Sequence, residues 1–392
     1  MHNVYLDNNA TTPVLPAVFA AMAPCFLEHF GNASAIYGGG RDALAALKQA
    51  RESVARLLGC SPLEVVFTSG GTESDNAAIC GMVSAGDHII TSAIEHSAVS
   101  QTCLALQRIG CETTRVPVGS SGQVDPAGIR RALRPNTKLI SVMLANNETG
   151  VLQPVEEIGR IAAEADVWFH TDAVQGAGKV PIAVDRIGCD LLSISAHKLH
   201  GPKGVGALYV RRGTPLRPLL FGGRQENGRR PGTENIPGIV GLGKACEIAL
   251  SHLQDGFVQR LATWRDRLET GVVAAISETG ITGDRAPRVP NTTNIYFDHV
   301  NGNALVLALD ELGIATARGS ACHAAEADPS SVLMAMGLSG ERSRSSLRFS
   351  FGALNVAEDV DRVLAVLPEA VHRLRQARPF ASTVSSAAGE TR

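Results

Sequence analysis

The alternation of short apolar runs with amphipathic segments, from about residue 40 to residue 215, most constrains how this chain can fold. The apolar runs have the length of buried strands, and segments such as 42–58, 97–107 and 155–165 have the spacing of amphipathic helices. Strands that alternate with helices predict an α/β fold, with a mostly parallel seven-stranded sheet covered by helices on both faces. The candidate strands are residues 65–69, 88–92, 113–118, 138–145, 167–171, 191–195 and 207–210.

A second, smaller α+β domain is predicted in the C-terminal part, because 392 residues are too many for one ordinary core. A loop rich in Gly, Arg and Asn at 224–233 precedes a long helical region from about 239 to 277. The strands and helices predicted after it are 293–297, 303–312, 346–351 and 356–376. We expect a large domain over residues 14–256, a small domain formed by 1–13 and 257–376, and a mobile tail over 377–392.

Composition and charge exclude several classes of partner. The formal net charge of −2 argues against a protein held on nucleic acid or on a membrane surface by bulk electrostatics. No run of about 18 apolar residues is present, and the first residues do not resemble a signal peptide. We therefore expect a cytoplasmic protein without nucleic-acid or membrane partners. No two of the eight cysteines form a Cys-x-x-Cys pair, so no metal site of that spacing is expected.

A lysine and an aspartate follow two of the candidate strands. Lys198 comes just after strand 191–195, and Asp172 comes just after strand 167–171. Open α/β sheets carry their chemistry at the carboxyl ends of the strands. Pyridoxal phosphate enzymes need a lysine to hold the cofactor and a carboxylate to pair with its pyridine nitrogen. Either residue alone is most often a solvated surface charge, but the two together favour this cofactor.

A glycine turn at residues 69–76 joins the first candidate strand to the helix after it. Free backbone N–H groups at a helix start, here near Gly71 and Thr72, form a cradle for phosphate. The alternative is a capping interaction, either of Thr72 with Asp75 or of Ser69 with Thr72.

Further polar residues lie at or just after the ends of candidate strands: His96, Asn147, Gln175, Ser195 and His197. An imidazole at the sheet edge would stack on a planar cofactor ring, and an amide would hydrogen-bond a phenolic oxygen or the substrate. The serine and the second imidazole would add donors to the phosphate. The alternative for each is a local role, such as a helix-start histidine or an Asn-rich turn.

Cys322 and Arg348 stand apart from the sheet motifs. Cys322 lies in a run of small residues at 318–325, where Arg318 and His323 favour the nucleophilic thiolate. A loop of this composition is expected to be flexible, so that its thiol can travel; the alternative is a small buried thiol. Arg348 stands between apolar residues of a strand and is suited to a bidentate clamp on an α-carboxylate, or to an ordinary salt bridge.

Together these motifs resemble the group I cysteine desulfurases, which have the fold of the class V aminotransferases. The resemblance extends from residue 4 to about 376, and the form of residues 229–235 is more similar to the nitrogen-fixation (NifS-like) branch than to the housekeeping (IscS-like) branch. The motifs are 5–12 (Tyr-Leu-Asp-Asn-Asn-Ala-Thr-Thr), 69–76 (Ser-Gly-Gly-Thr-Glu-Ser-Asp-Asn), 95–96 (Glu-His), 146–150 (Asn-Asn-Glu-Thr-Gly), 170–175 (His-Thr-Asp-Ala-Val-Gln), 195–198 (Ser-Ala-His-Lys) and 230–235 (Arg-Pro-Gly-Thr-Glu-Asn).

The resemblance implies a fold-type I pyridoxal 5'-phosphate enzyme that is a homodimer, with its sites at the subunit interface. Arg348 would hold the substrate carboxylate and Cys322 would accept the sulfur. The implied cofactor contacts are Lys198 as the covalent anchor, Asp172 at the pyridine nitrogen, His96 on the ring, Gly71, Thr72, Ser195 and His197 at the phosphate, Gln175 and Asn147 at the phenolic oxygen or substrate, and Thr233 given to the phosphate by the other subunit.

The implied reaction converts L-cysteine to L-alanine. Lys198 moves the Cα proton, and the Cys322 thiolate takes the sulfur as a persulfide. The sulfur then passes to an acceptor. An iron–sulfur scaffold protein is the expected acceptor, and assembly for nitrogenase is one form of this use. The alternatives are tRNA thiolation and DNA phosphorothioation. No resident metal is expected, although Cys322 would be a transient iron–sulfur ligand. After Cys322 the residues His323, Ala324 and Ala325 depart from the common family pattern, which affects partner choice and loop motion more than chemistry.

Three other functions compete with this interpretation. A selenocysteine lyase or an aminotransferase would share the fold, but a transaminase does not need the nucleophilic thiol of Cys322. A non-catalytic sulfur-assembly scaffold would have lost the cofactor, and the intact Lys198, Asp172 and His96 weigh against it.

Overall fold

The computed structural model describes residues 3–319 and 328–377. Cys322 and the predicted tail beyond Ala377 lie outside these residues. The strands are β1 (Val4–Tyr5), β2 (Val65–Thr68), β3 (His88–Ser92), β4 (Glu112–Val116), β5 (Thr137–Ser141), β6 (Trp168–Asp172), β7 (Leu191–Ser195), β8 (Gly206–Val210), β9 (Thr279–Ile281), β10 (Thr292–Phe297), β11 (Ile314–Ala315) and β12 (Ser346–Ser350).

Helices cover much of the remaining described chain. The α-helices are α1 (Pro16–Met22), α2 (Pro24–Leu27), α3 (Gly38–Leu58), α4 (Gly71–Met82), α5 (Ser97–Gln107), α6 (Pro126–Ala132), α7 (Val155–Glu164), α8 (Val184–Ile187), α9 (Ile236–His252), α10 (Phe257–Ala275), α11 (Gly302–Glu311), α12 (Ser331–Ala335), α13 (Gly340–Ser345) and α14 (Ala357–Gln376). Short 3₁₀ turns cover Pro62–Glu64, Ala196–Lys198 and Gln225–Gly228. Among the described helices, none combines the length and the hydropathy needed to span a bilayer.

Seven strands form one sheet, in the order β2-β8-β7-β6-β5-β3-β4. Within it, β8 is antiparallel to both of its neighbours, whereas the other pairs are parallel. Every residue of β3, β7 and β8 is buried, so both faces of these strands are covered. Parallel sheets are covered on both faces in this way because their crossover helices pack on each side. The predicted α/β fold with a mostly parallel seven-stranded sheet is confirmed.

The strand predicted at 138–145 ends earlier, at Ser141. The backbone N–H of Leu144 still donates to β6, at 2.8 Å from the carbonyl oxygen of Asp172. Beyond it, Asn146 Oδ1 accepts the backbone N–H groups of Glu148 and Thr149, at 2.9 and 3.0 Å. An asparagine that binds neighbouring backbone groups gives the chain an alternative to the sheet ladder. The apolar run therefore predicted the strand but not its end.

The helical region predicted at 239–277 is two helices, α9 and α10. Gly256 lies between them with φ 79°, a left-handed conformation that a glycine adopts without strain. Asp255 Oδ1 accepts the backbone N–H of Phe257 at 2.9 Å and starts the second helix. The predicted helical region is therefore present, with a break at residues 253–256 that the sequence analysis did not place.

The buried apolar side chains form distinct clusters. The largest contains residues from Val18 to Ala249 and includes alternate strand residues such as Phe67 and Leu192, on one face of the seven-stranded sheet. A separate cluster contains Val66 and Leu191, on the other face. Another combines Val4 and Leu6 with residues between 261 and 371. The first strand pairs with β11 in this second part, and β12, β10 and β9 form an antiparallel sheet beside it. This agrees with the predicted grouping of 1–13 with 257–376, and the domain boundaries themselves stay a prediction.

Candidate active site

Strand ends of the central sheet and the start of α4 enclose one cavity of about 250 Å³. The carboxyl ends of parallel strands lie at the same edge of a sheet, which is why residues distant in sequence meet here. The cavity is lined by Asn9, Ala10, Gly71, Thr72, Asp75, His96, Met143, Ala145, Asn147, Asp172, Val174, Gln175, Ser195, His197, Lys198 and Arg348. It brings together every predicted site residue except Thr233 and Cys322.

Lys198 ends the 3₁₀ turn that follows β7. Its Nζ donates to the backbone carbonyl oxygens of Asn9 and Ala10, at 2.6 Å from the latter. Carbonyl oxygens accept hydrogen bonds from an amine without forming an ion pair with it. Lys198 is therefore held at the cavity and can still donate or accept a proton. The sequence interpretation missed these acceptors, because they lie in the N-terminal segment and are brought in by the fold.

Asp172 is the last residue of β6 and is buried. Its Oδ1 accepts the backbone N–H of Val174 at 2.9 Å. Burial raises the pKa of this carboxyl, while the nearby His96 and Lys198 act to lower it. A protonated pyridine nitrogen would oppose the effect of burial and hold Asp172 in its ionised form.

Asp75 is a second buried carboxyl on the cavity wall, and the sequence interpretation considered it only as a helix cap. Burial raises the pKa of Asp75 well above its usual range, and the charge of Asp172 raises it further. Its Oδ1 lies 3.5 Å from His170 Nε2, and burial lowers the pKa of that imidazole to about 3. Burial and the charge of Asp172 both favour the protonated form of the Asp75 carboxyl. The signal for it was its place on α4, three residues after Thr72 and so on the same side of the helix.

His96 is the N-cap residue of α5, and its Nδ1 accepts the backbone N–H of Ala98 at 3.1 Å. The alternative role of His96, as a residue that caps a helix start, is therefore present, and the same residue also lines the cavity. Burial lowers the pKa of His96, which favours a neutral ring with its proton on Nε2. His96, Asp172 and Asp75 have polar atoms within 4.8 Å of one another. A neutral planar ring beside Asp172 is suited to stack on a pyridine ring.

The turn predicted to bind phosphate lies between β2 and α4. Among the described residues neither predicted cap is formed, because the N-cap residue is Gly70, with φ 154° and no side chain. The first N–H groups of α4 therefore lack a side-chain cap, as an anion site at a helix start requires. A Cβ at Gly71 would lie 2.8 Å from Val174 Cγ2 and 3.6 Å from Ser195 Cβ. Glycine is needed for this close approach.

Ser195 and His197 lie on the opposite side of that turn. A Cβ at Gly70 would lie 3.8 Å from Ser195 Oγ, so the hydroxyl is next to the start of α4. Burial lowers the pKa of His197 to about 4, and its Nδ1 lies 3.2 Å from Thr11 Oγ1. A neutral imidazole can donate one hydrogen bond without adding charge. Their roles at a phosphate stay predictions that this proximity supports.

Arg348 on β12 has a side chain that is 1% exposed. One guanidinium nitrogen, Nη1, donates to the backbone oxygen of Asn147 at 2.9 Å, and Nη2 pairs with Asp7 Oδ1 at 2.7 Å. Its Nε has no hydrogen-bond partner within the described ranges. The ordinary salt bridge is therefore present, and one N–H of a buried cation remains available to a carboxylate.

Gln175 and Asn147 face the same cavity from two loops. Gln175 Nε2 donates to the carbonyl oxygen of Asn9 at 2.9 Å, and its Oε1 accepts from Lys179 Nζ at 2.7 Å. Asn9 Nδ2 donates to the carbonyl oxygen of Asn147 at 3.1 Å. The sequence interpretation missed Lys179, although its spacing of four residues from Gln175 was a visible signal.

Thr233 and Cys322 were also predicted as site residues. Thr233 is exposed and does not line the cavity, so its contribution to a partner subunit stays a prediction. Cys322 lies outside the described residues. The described residue that precedes its segment, Gly319, lines a wider cavity that shares His96 and Asn147 with the first.

The residues of the first cavity fit pyridoxal phosphate. The uncapped start of α4 suits the phosphate, and the Lys198 amine suits the aldehyde. Asp172 offers a carboxylate for the ring nitrogen. The buried Arg348 Nε and Asp75 Oδ1 have no hydrogen-bond partner among the described residues. Buried polar atoms rarely stay unpaired, so these atoms indicate a polar ligand.

Known proteins are similar over almost the whole chain. The aminotransferase class-V family pattern matches residues 4–363. The chain is 49% identical to the cysteine desulfurase IscS of Methanosarcina thermophila, over 96% of this chain and 94% of that protein. It is 48% identical to a cysteine desulfurase of Gluconacetobacter diazotrophicus, over 97% and 96% of the two chains. The solved structure of a NifS-like protein superposes with a TM-score of 0.88 at 37% identity, over 95% of this chain and all of the other.

These similarities confirm the family resemblance and the fold-type I architecture. Class-V aminotransferases and cysteine desulfurases depend on pyridoxal phosphate, which agrees with the donors and the carboxylate around the cavity. The chain belongs to the aminotransferase class-V family and, within it, to the pyridoxal-phosphate-dependent cysteine desulfurases.

Proposed function

We propose that this protein converts L-cysteine to L-alanine and carries the removed sulfur as a persulfide on Cys322. The observation that carries the proposal is the convergence of Lys198, Asp172 and His96 on one cavity beside the uncapped start of α4. This set suits an amino-acid substrate on pyridoxal phosphate, and Cys322 adds the nucleophile that sulfur transfer requires.

The bound cofactor supplies an electron sink next to the substrate's Cα. Asp172 provides the negative charge that keeps the ring nitrogen protonated. Lys198, displaced by the substrate's amine, takes the proton from Cα, and the carbonyl oxygens of Asn9 and Ala10 hold the resulting ammonium group in place. The free N–H of Arg348 binds the substrate carboxylate.

Sulfur transfer then requires a thiolate on this chain. The Cys322 thiolate attacks the substrate sulfur, so that an S–S bond forms while the substrate's C–S bond breaks. The electron pair of the C–S bond stays with the substrate carbon, where one proton from solvent completes the methyl group. Lys198 then returns a proton to Cα, which gives alanine. One cysteine and one protein thiol give one alanine and one persulfide, so this half-reaction needs no external oxidant or reductant.

Cys322→Ala is expected to stop alanine formation while the bound-cofactor spectrum persists. Loss of a catalytic nucleophile lowers the rate by roughly 1,000-fold or more. The measurement is alanine and sulfide release from L-cysteine in the presence of a reductant, with Cys60→Ala as the control variant. Burial raises the pKa of Cys60 to about 12, so its thiol is not a nucleophile at neutral pH and its removal should leave the rate unchanged.

The same assay separates the competing functions. Unchanged alanine formation in Cys322→Ala would contradict sulfur transfer through this thiol. Activity on L-selenocysteine without activity on L-cysteine would instead indicate a selenocysteine lyase. Formation of a keto acid in place of alanine would indicate an aminotransferase.

We extend the proposal to iron–sulfur cluster assembly as the destination of the sulfur. The resemblance to cysteine desulfurases supports this extension. Replacing the reductant by an apo scaffold protein and ferrous iron should give cluster absorbance with the wild-type chain and none with Cys322→Ala. Persulfide formation that never labels the scaffold would contradict this destination but leave the desulfurase activity intact.

We also propose that the chain is a homodimer. Large apolar side chains are exposed between Phe19 and Tyr37 and again at Leu220 and Phe221, which is 90% exposed. Exposed apolar clusters of this kind mark protein–protein contacts. Sedimentation velocity of the purified protein should give twice the chain mass at micromolar concentration, and a monomer under these conditions would contradict the proposal.

A further inference from the structure

We propose that Lys179 is a positioning residue that holds the side-chain amide of Gln175 with its Nε2 donor available to the cofactor cavity. The inference deepens the proposed function and rests on it, because the role of Gln175 at the cofactor's phenolic oxygen belongs to that function. Lys179 itself does not line the cavity that holds Lys198 and Asp172.

Lys179 is placed behind Gln175 by a tight turn after β6. The backbone N–H groups of Gly176 and Ala177 both donate to the carbonyl oxygen of Ala173 at 2.9 Å, and that of Lys179 donates to Gly176 at 3.0 Å. Residues four apart in such a turn lie on the same side. The Nζ of Lys179 accordingly lies 2.7 Å from Gln175 Oε1 and 3.3 Å from Asn9 Oδ1.

The chemistry of this contact determines which way the amide points. An ammonium group only donates hydrogen bonds, so the atom of Gln175 that it contacts must be the oxygen. The nitrogen is then on the other side, where it donates to the carbonyl oxygen of Asn9 at 2.9 Å. Nε2 carries two hydrogens, and Asn9 uses one of them. The second is left for an acceptor in the cavity that Gln175 lines, and the anionic phenolic oxygen of the cofactor is such an acceptor.

The surroundings of Lys179 argue against a role as an ion-pair partner. Its side chain is buried, and no carboxylate of the described residues lies within salt-bridge distance of Nζ. Burial lowers the pKa of Lys179 to about 7, and the positive charges of Lys198 and Arg348 act in the same direction. The negative charges of the bound cofactor favour its ammonium form. A buried cation without an acidic partner is costly, which is consistent with a specific hydrogen-bonding task.

The test is a double-mutant cycle read from the bound cofactor's spectrum. A donor to the phenolic oxygen stabilises its anion, so losing that donor makes the neighbouring protonated nitrogen harder to deprotonate. In Lys179→Met, the pH midpoint of the cofactor's visible band should rise by about one unit, and cofactor affinity should fall roughly tenfold. Gln175→Ala should produce a similar shift, and adding Lys179→Met to it should change little more. Lys138→Met, at an exposed lysine on β5, is the matched control.

Lys179→Gln separates hydrogen bonding from charge, because it removes the positive charge but retains an N–H donor. A smaller shift in Lys179→Gln than in Lys179→Met supports positioning by donation. Equal shifts that persist in the Gln175→Ala background would overturn the proposal in favour of a charge effect, and an unshifted Lys179→Met would also overturn it. Thermal unfolding identifies any variant that fails to fold. If Lys179→Met does not fold, the pH midpoint of Lys179→Gln is compared with that of Gln175→Ala instead. A wild-type protein that binds no cofactor would overturn the proposed function itself.

Discussion

Lys198→Ala should lose both the visible absorbance of the bound cofactor and nearly all alanine formation, with kcat/KM lower by roughly 10,000-fold or more. The lysine serves as the covalent anchor and as the group that moves the Cα proton. No other amine can replace it there, since the carbonyl oxygens of Asn9 and Ala10 direct this Nζ into the cavity. The absorbance spectrum and the alanine assay of the purified variant measure the two roles separately.

Lys203→Ala is the control for Lys198→Ala, because Lys203 is an exposed lysine of the same glycine-rich segment. It should keep both the spectrum and the rate. Added methylamine should restore part of the proton transfer in Lys198→Ala, since a small free amine can enter the space of the missing side chain. Substantial alanine formation by Lys198→Ala without added amine would contradict the role of this lysine.

Asp172→Asn should retain the fold and lower kcat/KM by roughly 100- to 1,000-fold. The amide oxygen still accepts the backbone N–H of Val174, so the local structure is preserved. The negative charge is lost, however, and the ring nitrogen then binds its proton less tightly and withdraws fewer electrons from Cα. The measurement is the rate of alanine formation under saturating cofactor, together with the cofactor's dissociation constant.

Asp190→Asn provides a matched control for Asp172→Asn. Asp190 precedes β7 at the opposite edge of the sheet, and its Oδ2 accepts the backbone N–H of Phe169 at 2.9 Å. This substitution changes one partly buried carboxylate without touching the cavity, so the rate should be unchanged. Equal losses in both variants would mean that Asp172 acts through stability rather than through the cofactor.

The central sheet could be predicted because its signal is local. Strands buried on both faces, such as β3 and β7, are continuous apolar runs, and the glycine turns and helices between them have their own periodicity. The end of the strand predicted at 138–145 was wrong by four residues. β5 ends at Ser141 although the apolar run continues to Ala145, and Asn146 binds the backbone of the turn beyond it.

Part of the candidate site was also predictable, since the carboxyl ends of neighbouring parallel strands must meet. Asp172, Lys198 and the turn at Gly71 were found in this way, and the structure brings them to one cavity. Asp75 was missed because its position three residues after Thr72 suggested a helix-capping contact. Only the fold shows that Asp75 is buried beside Asp172, which raises the pKa of its carboxyl.

The sequence by itself determined the α/β sheet, the order of its strand-end residues and the family, because periodicity and motifs depend on neighbours along the chain. The tertiary structure decided which groups hold the catalytic side chains in place. Asn9 accepts hydrogen bonds from Lys198, Gln175 and Lys179 only because the N-terminal segment crosses the end of the sheet. Such contacts join residues more than 160 positions apart, and no local pattern encodes a distance that is set by the packing of the whole fold.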